Sequence, residues 1–107
     1  MANAVVNSRA KVGKNCILNT ASTLGHDSTM ADFSSLASGV NIGGNTQIGM
    51  CSAISLGATV IQNINIGDYT IVGAASLVLK SIENLKVVYG NPIHTIKDRT
   101  KDSRYLG

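Results

Sequence analysis

His26 is the side chain of this sequence best suited to acid–base chemistry, and Asp27 follows it directly. An imidazole has an ordinary pKa of ~6.5, so near neutral pH it can accept a proton from a hydroxyl or an amine. The second histidine, His94, lies near the end of the chain. Because a solvated histidine often has no function, the meaning of His26 depends on the elements that position it.

The composition indicates a single domain of unusual make-up. Of 107 residues 44% are hydrophobic, yet the chain has one Phe, three Tyr and no Trp. Eleven glycines and one proline accompany mostly aliphatic residues, a mixture that favours stacked strands with tight corners over a helical bundle. The net charge of +3 comes entirely from residues 80–107, because basic and acidic residues cancel over 1–79.

Aliphatic residues recur at every sixth position without a break, and the residue two places earlier is small or branched. Residues two apart in a strand share one face, so each hexad directs one large and one small side chain inward. Glycine often follows the aliphatic residue, where we expect it to adopt corner backbone angles. The aliphatic positions are Val6, Val12, Leu18, Leu24, Met30, Leu36, Ile42, Ile48, Ile54, Val60, Ile66, Val72 and Val78.

Three hexads predict one triangular coil of 18 residues, in which residues 18 apart stack about 4.8 Å from each other. The prediction is an all-β fold, a parallel β-helix of about four coils that ends in a short helix or tail. A period of six excludes a long amphipathic helix, whose period is 3.6 residues. We expect a repeat region over 1–85 and a closing region over 86–107. The closing region comprises a strand, a Gly90-Asn91-Pro92 turn and a short basic helix from Pro92 to about Ser103.

Several classes of protein are disfavoured by the sequence. It has no run of 18 apolar residues and no charged-then-apolar leader, so we expect neither a membrane span nor a signal peptide. Cys16 and Cys51 lack metal or redox spacing, which predicts a cytoplasmic protein without a metal. A zinc carbonic anhydrase of this architecture would need three histidines. Few aromatic residues accompany the basic tail, which disfavours nucleic acid as a partner.

The hexad array is identified as a member of the hexapeptide-repeat acyltransferase superfamily. Within it, the segment from Asn19 to Asp27, with Asp32 and Phe33, resembles the bacterial sialic acid O-acetyltransferases and the related UDP-amino-sugar N-acetyltransferases. The closing segment 88–93 resembles the same branch. The resemblance covers about residues 10–97, without the N-terminal nucleotide-sugar-binding domain of that branch. It implies that the β-helix is left-handed.

The resemblance also implies a reaction: transfer of an acyl group from acetyl-CoA to a hydroxyl or amine of a sugar or small molecule. His26 matches the catalytic base and Asp27 the acid that supports it. Asn19 matches an asparagine that lines the acceptor pocket. Ser35 stands where that branch has a second histidine, and we assign it to the acceptor site with Asn19.

The expected CoA site combines small residues with the basic end of the chain. Gly44 stacks one coil beyond His26, so its missing side chain predicts a slot for the pantetheine arm. The anionic nucleotide could meet the basic segment, for which an ordinary solvated helix is the alternative. The predicted CoA-binding residues are Gly44, Gly57, Ala75, Lys80, Lys97 and Arg99.

The spacing of Asn19 and His26 bears on assembly. Seven residues are one hexad plus one, so the two side chains lie at different corners of one prism. Asn19 of a neighbouring chain could reach His26, which predicts a homotrimer with the base at its interface; a simple turn asparagine is the alternative. Pairing of two trimers through the N-terminal end is left open. The competing function is a truncated, non-catalytic β-helix trimer that serves as a scaffold or binding protein.

Overall fold

The computed structural model describes residues 4–100, which form a parallel β-solenoid without a helix. Thirteen two-residue strands follow one another every six residues, and two longer strands close the described chain. This confirms the predicted all-β solenoid, with about five turns rather than four. The strands are β1 (Val5–Val6), β2 (Lys11–Val12), β3 (Ile17–Leu18), β4 (Thr23–Leu24), β5 (Thr29–Met30), β6 (Ser35–Leu36), β7 (Asn41–Ile42), β8 (Gln47–Ile48), β9 (Ala53–Ile54), β10 (Thr59–Val60), β11 (Asn65–Ile66), β12 (Ile71–Val72), β13 (Leu77–Val78), β14 (Lys86–Gly90) and β15 (Ile93–Asp98).

From β1 to β10, each strand pairs in parallel with the strand three places further on, which produces three faces. The first face contains β1, β4, β7, β10 and β13, and the second contains β2, β5, β8 and β11. The third face contains β3, β6, β9, β12, β14 and β15. The chain turns from the first face to the second at the first corner, from the second to the third at the second corner, and back to the first at the third corner. Partners are 18 residues apart, as Val6 with Leu24 and Leu24 with Ile42 show.

The interior is built as the hexad predicts. Leu24, Leu36 and Val60 are buried at the aliphatic position. Buried hydroxyls fill the small position and bond to the main chain; Ser34 Oγ, for example, donates to the Ala31 carbonyl at 2.6 Å. Val6 keeps the same inward position but is 48% exposed, because no described residue packs beneath the first coil.

From Val6 to Val72, a left-handed residue stands at the corner three places after each aliphatic residue, with φ between 53° and 72°. The glycines that directly follow the aliphatic residues are not among these, so the expected role of those glycines was wrong. A Cβ at Gly25 would lie 2.5 Å from the carbonyl carbon of Gly43 in the next coil. These glycines are therefore needed for close stacking of coils. The left-handed corner residues are Arg9, Asn15, Ala21, Asp27, Phe33, Gly39, Asn45, Cys51, Gly57, Asn63, Tyr69 and Ala75.

The C-terminal segment forms a hairpin. β14 pairs in parallel with β12, and β15 returns antiparallel to β14 after a cis Asn91–Pro92 peptide. The helix predicted from Pro92 is therefore wrong as far as the structure describes it; residues 101–103 of that helix lie outside the described residues. The physical reason is that β14 presents unpaired main-chain groups at the end of the third face, and a strand can satisfy them whereas a helix cannot.

Candidate active site

His26 lies at the first corner, between β4 and β5, with its side chain 65% exposed. Its ring rests on Gly44 of the next coil: a Cβ there would lie 2.7 Å from Nε2 and 2.8 Å from Cε1. The imidazole thus fills the space that the sequence suggested for a pantetheine arm. The His26 ring packs on Gly44. Contact between Gly44 and CoA stays a prediction, but it is no longer supported by an empty slot beside His26.

Asp27 orients the imidazole. Its Oδ2 lies 3.2 Å from His26 Nδ1, and both carboxylate oxygens are bonded by Arg9, from Nε to Oδ1 at 2.6 Å and from Nη2 to Oδ2 at 2.9 Å. The hydrogen bond from Arg9, and then that from His26, lower the pKa of Asp27 to about 2. An ionised carboxylate only accepts hydrogen bonds, so the neutral imidazole carries its proton on Nδ1. Nε2 is left with a free lone pair.

A shallow groove on the first face lies next to the residue on which the ring rests. The groove has a volume of about 550 Å³, and Gly44, on which the ring rests, is one of its walls. Its polar side chains come from Asn41, Thr59 and Gln62. A hydroxyl or amine held beside Gly44 would therefore face a nitrogen able to take its proton.

A second groove, on the third face, brings together Asn19 and Ser35. It measures about 470 Å³, and small side chains such as Ala37, Ala53 and Ala74 form much of its wall. Its edge lies at the third corner, one full face away from His26 of the same chain. The structure therefore unites the two predicted acceptor residues but does not bring them to the histidine within one chain.

Gly57 and Ala75 lie at the third corner in successive coils, beside this second groove. Both have left-handed backbones and are exposed. A Cβ at Gly57 would meet nothing within 4 Å, so the surface there is open to a close approach. The neighbouring residues Leu56 and Ala74 line the groove itself.

The three basic residues predicted to bind CoA are not brought together. Lys80 lies at the first corner, beside a groove under the hairpin. Lys97 lies on β15 of the third face, with its Nζ 5.8 Å from the centre of the Tyr89 ring. Arg99 reaches the second corner, where Nη1 donates to the Tyr69 carbonyl at 3.3 Å. A single anion site formed by all three is therefore not present in one chain.

The ion pair between Arg9 and Asp27 was not predicted from the sequence. The 18-residue spacing of Arg9 and Asp27 was its only signal, and it becomes meaningful once the corner residues are known to stack. Over residues 4–100, no three His, Cys, Asp or Glu side chains are grouped so that they could hold a metal ion. The same residues contain no helix long and apolar enough to cross a membrane.

No protein-family model matches the sequence. The serine acetyltransferase of Staphylococcus aureus strain Mu50 is 31% identical over 113 residues, which cover 91% of this chain and 53% of that relative. This chain thus spans about half the length of that relative.

Solved structures share the architecture. A serine acetyltransferase from Neisseria gonorrhoeae superposes with a TM-score of 0.85 and 23% identity, over 92% of this chain and 41% of that one. The chain has the left-handed β-helix fold of hexapeptide-repeat acetyltransferases. Another structural neighbour, the acetyltransferase domain of PglB from Neisseria gonorrhoeae FA1090 in complex with acetyl coenzyme A, has a TM-score of 0.76 and 27% identity, over 86% of this chain and 54% of that one. Sequence and structure together support membership of the hexapeptide-repeat acyltransferase superfamily.

Proposed function

We propose that this protein is a CoA-dependent acyltransferase in which His26 is the general base. The observation that carries the proposal is the orientation of the ring: Asp27 holds Nδ1, and the Nε2 edge packs over Gly44, which lines an open groove. A base must reach the proton it abstracts, and its pKa must suit the working pH. An exposed histidine with one nitrogen fixed and the other free meets the first condition.

The proposed reaction uses the chain's residues in a simple order. Acetyl-CoA supplies the acyl group as a thioester. His26 accepts the proton of the attacking hydroxyl or amine at Nε2, while the Asp27 carboxylate stabilises the imidazolium through Nδ1. The new ester or amide bond forms as the carbon–sulfur bond breaks, and the proton on Nε2 is returned to the departing sulfur.

The third-face groove is the best candidate for the pantetheine arm, so in this proposal Asn19 and Ser35, which line it, would contact the donor and not only the acceptor. The arm is narrow and carries amides, and this groove offers small side chains beside the open corner at Gly57 and Ala75. Lys97 lies on the outermost strand of the same face, where it could meet the anionic nucleotide. Lys80 and Arg99 lie at the two other corners, so of the three basic residues Lys97 is the preferred partner.

A composite site between chains follows from these positions. His26 lies at the first corner and the third-face groove lies at the third corner, so one whole face separates them in a single chain. In a threefold assembly the first corner of one chain can meet the third corner of its neighbour. We therefore infer a homotrimer with three active sites, each made by two chains.

The acceptor belongs to the same proposal. The block from Asn19 to Asp27 favours a sialic acid or a UDP-amino sugar, whereas the Staphylococcus aureus relative is a serine acetyltransferase. Each of these acceptors offers the hydroxyl or amine that the proposed base requires. A panel of an N-acylated sialic acid, UDP-amino sugars and L-serine would distinguish them.

The test is binding of acetyl-CoA followed by loss of transfer in one variant. At a concentration of 100 Kd, acetyl-CoA should stabilise the protein by about 2.7 kcal/mol, which corresponds to roughly 10 °C or more in Tm for a chain of this size. His26→Ala should lower kcat by about 10²-fold or more with little change in the Kd of acetyl-CoA. His94→Ala is the matched control and should keep its activity. An intact trimer without a Tm shift at millimolar acetyl-CoA would contradict the proposal and leave a scaffold role.

A further inference from the structure

Arg9 lies directly beneath Asp27 at the first corner, one coil nearer the N-terminus. Both residues adopt the left-handed corner conformation, with φ of 59° and 60°. Their side chains therefore extend from equivalent positions of successive coils. The main chain ties the rungs together, since the Asp27 amide donates to the Ser8 carbonyl at 3.1 Å. The guanidinium is thereby presented to the carboxylate from below.

Both oxygens of the Asp27 carboxylate take part in the contact. Nε donates to Oδ1 and Nη2 donates to Oδ2 in a two-point arrangement, while His26 Nδ1 also lies within hydrogen-bond distance of Oδ2. A two-point guanidinium contact fixes the plane of a carboxylate as well as its position. The direction in which Oδ2 faces the imidazole is therefore set by Arg9, and with it the direction in which the ring presents Nε2.

A merely stabilising ion pair is the competing explanation. The Arg9 and Asp27 side chains are 73% and 37% exposed, and exposed ion pairs contribute little to folding. Further along this corner column the chain uses an amide pair, with Asn45 Nδ2 bonded to Asn63 Oδ1 at 2.9 Å, so stacking does not require a charged pair. Among the stacked corner residues 9, 27, 45 and 63, Asp27 is the one whose side chain also accepts a hydrogen bond from a described histidine.

We propose that Arg9 is a positioning residue that acts on His26 through Asp27. The inference rests on the proposed role of His26 as a base. It assigns to Arg9 no contact with donor or acceptor: the guanidinium holds the carboxylate, the carboxylate holds Nδ1–H, and Nε2 stays unprotonated toward the groove.

The first measurement needs no substrate. In protein with ¹⁵N-labelled histidine, the nitrogen shifts of neutral His26 should report the Nδ1–H tautomer. Arg9→Ala should shift the population toward Nε2–H, and Arg9→Lys should restore only part of it, because an ammonium cannot form the two-point contact. Lys14→Ala removes an exposed cation from the same coil at the second corner and is the control; it should leave the tautomer unchanged.

The second measurement is a double-mutant cycle on acetyl transfer from acetyl-CoA to whichever acceptor of the panel is active. Arg9→Ala should lower kcat by roughly tenfold, with the Kd of acetyl-CoA unchanged. In an Asp27→Asn background the same substitution should have no further effect, because the group through which Arg9 acts is gone.

The outcomes separate this inference from the proposed function. An unchanged His26 tautomer in Arg9→Ala, or additive effects of the Arg9 and Asp27 substitutions, would overturn the role of Arg9 while leaving His26 as the base. Full activity in His26→Ala would instead overturn the proposed function, and the tautomer measurement would still decide whether Arg9 orients the ring.

Discussion

At the scale of single residues, the pKa of the Asp27 carboxyl is a measurable sign of its contacts. The hydrogen bonds from Arg9 and His26 lower its pKa to about 2, below the ordinary value of ~3.9 for an aspartate. Because the folded-state pKa is depressed, the contacts stabilise the folded chain above about pH 4. That contribution is lost as the pH falls through about 2.

We therefore expect a carbon-13 titration of the Asp27 carboxyl to have its midpoint near 2 in the wild-type chain. Arg9→Ala removes the largest cause of the shift, so the midpoint should rise toward ~3.9. Lys14→Ala, which removes an exposed cation from the second corner, is the control and should leave the Asp27 midpoint near 2. A midpoint of Asp27 that is the same in Arg9→Ala and the wild type would show that Arg9 does not hold the carboxylate in solution.

Residue types revealed the candidate base but not its surroundings. His26 and Asp27 were predicted from type, spacing and resemblance, and the structure places them within hydrogen-bond distance of each other. The packing of the His26 ring on Gly44 could not be predicted, because the stacking of positions 26 and 44 leaves open whether a ring or a ligand fills the space. Arg9 was missed since its partner depends on which corner residue is left-handed, and the hexad pattern does not specify that.

At the scale of elements, close stacking of coils depends on the glycines that follow the inward aliphatic residues. A Cβ at Gly49 would lie 2.5 Å from the carbonyl carbon of Gly67 in the next coil. Backbone atoms cannot yield as a flexible side chain would. The coil spacing at the second corner would have to widen, and the hydrogen bond from the Gly49 amide to Ile66 at 2.8 Å would lengthen.

Gly49→Ala should therefore destabilise the fold by about 1–3 kcal/mol, at roughly 5 °C of Tm for each kcal/mol. The control is Gly57→Asn at an open, left-handed corner position, because Asn45 and Asn63 already occupy equivalent positions. Thermal unfolding followed by circular dichroism compares the two. Equal Tm values for Gly49→Ala and the wild type would refute the stacking argument.

The solenoid was predictable because one local rule repeats through it. Every inward aliphatic position from Leu18 to Val78 is buried in the structure. The hairpin of β14 and β15 was not predictable in the same way, since Ile93 and Ile96 are three residues apart, a spacing that also suits a helix. The strand is favoured by the unpaired edge of β14, a long-range requirement that no short segment of sequence expresses.

At the scale of the whole molecule, the positions of the two halves of the proposed site predict a trimer. The two halves of the proposed site, His26 with Gly44 and the third-face groove with Asn19 and Ser35, lie on opposite sides of the first face. Neither half is complete alone, because a base without a donor site transfers nothing. We expect sedimentation to give a mass of three times the 11.1 kDa of one chain, and a monomer at micromolar concentration would contradict the shared site.

Mixing two inactive variants tests directly whether neighbouring chains share the site. His26→Ala removes the base, and Ala53→Phe fills the third-face groove while leaving the base in place; each variant alone should be inactive, and sedimentation should show that it is still a trimer. The two variants are then refolded together in equal amounts. A site is intact where a chain that keeps His26 places its first corner against the open groove of a neighbour. Random mixing in a cyclic trimer gives this arrangement at about a quarter of the sites. Mixing His26→Ala with the double variant His26→Ala/Ala53→Phe provides no intact site and is the control. Recovery of roughly a quarter of the wild-type kcat per chain would establish the shared site, whereas no recovery would place base and groove in one chain, which the separation of the two corners opposes.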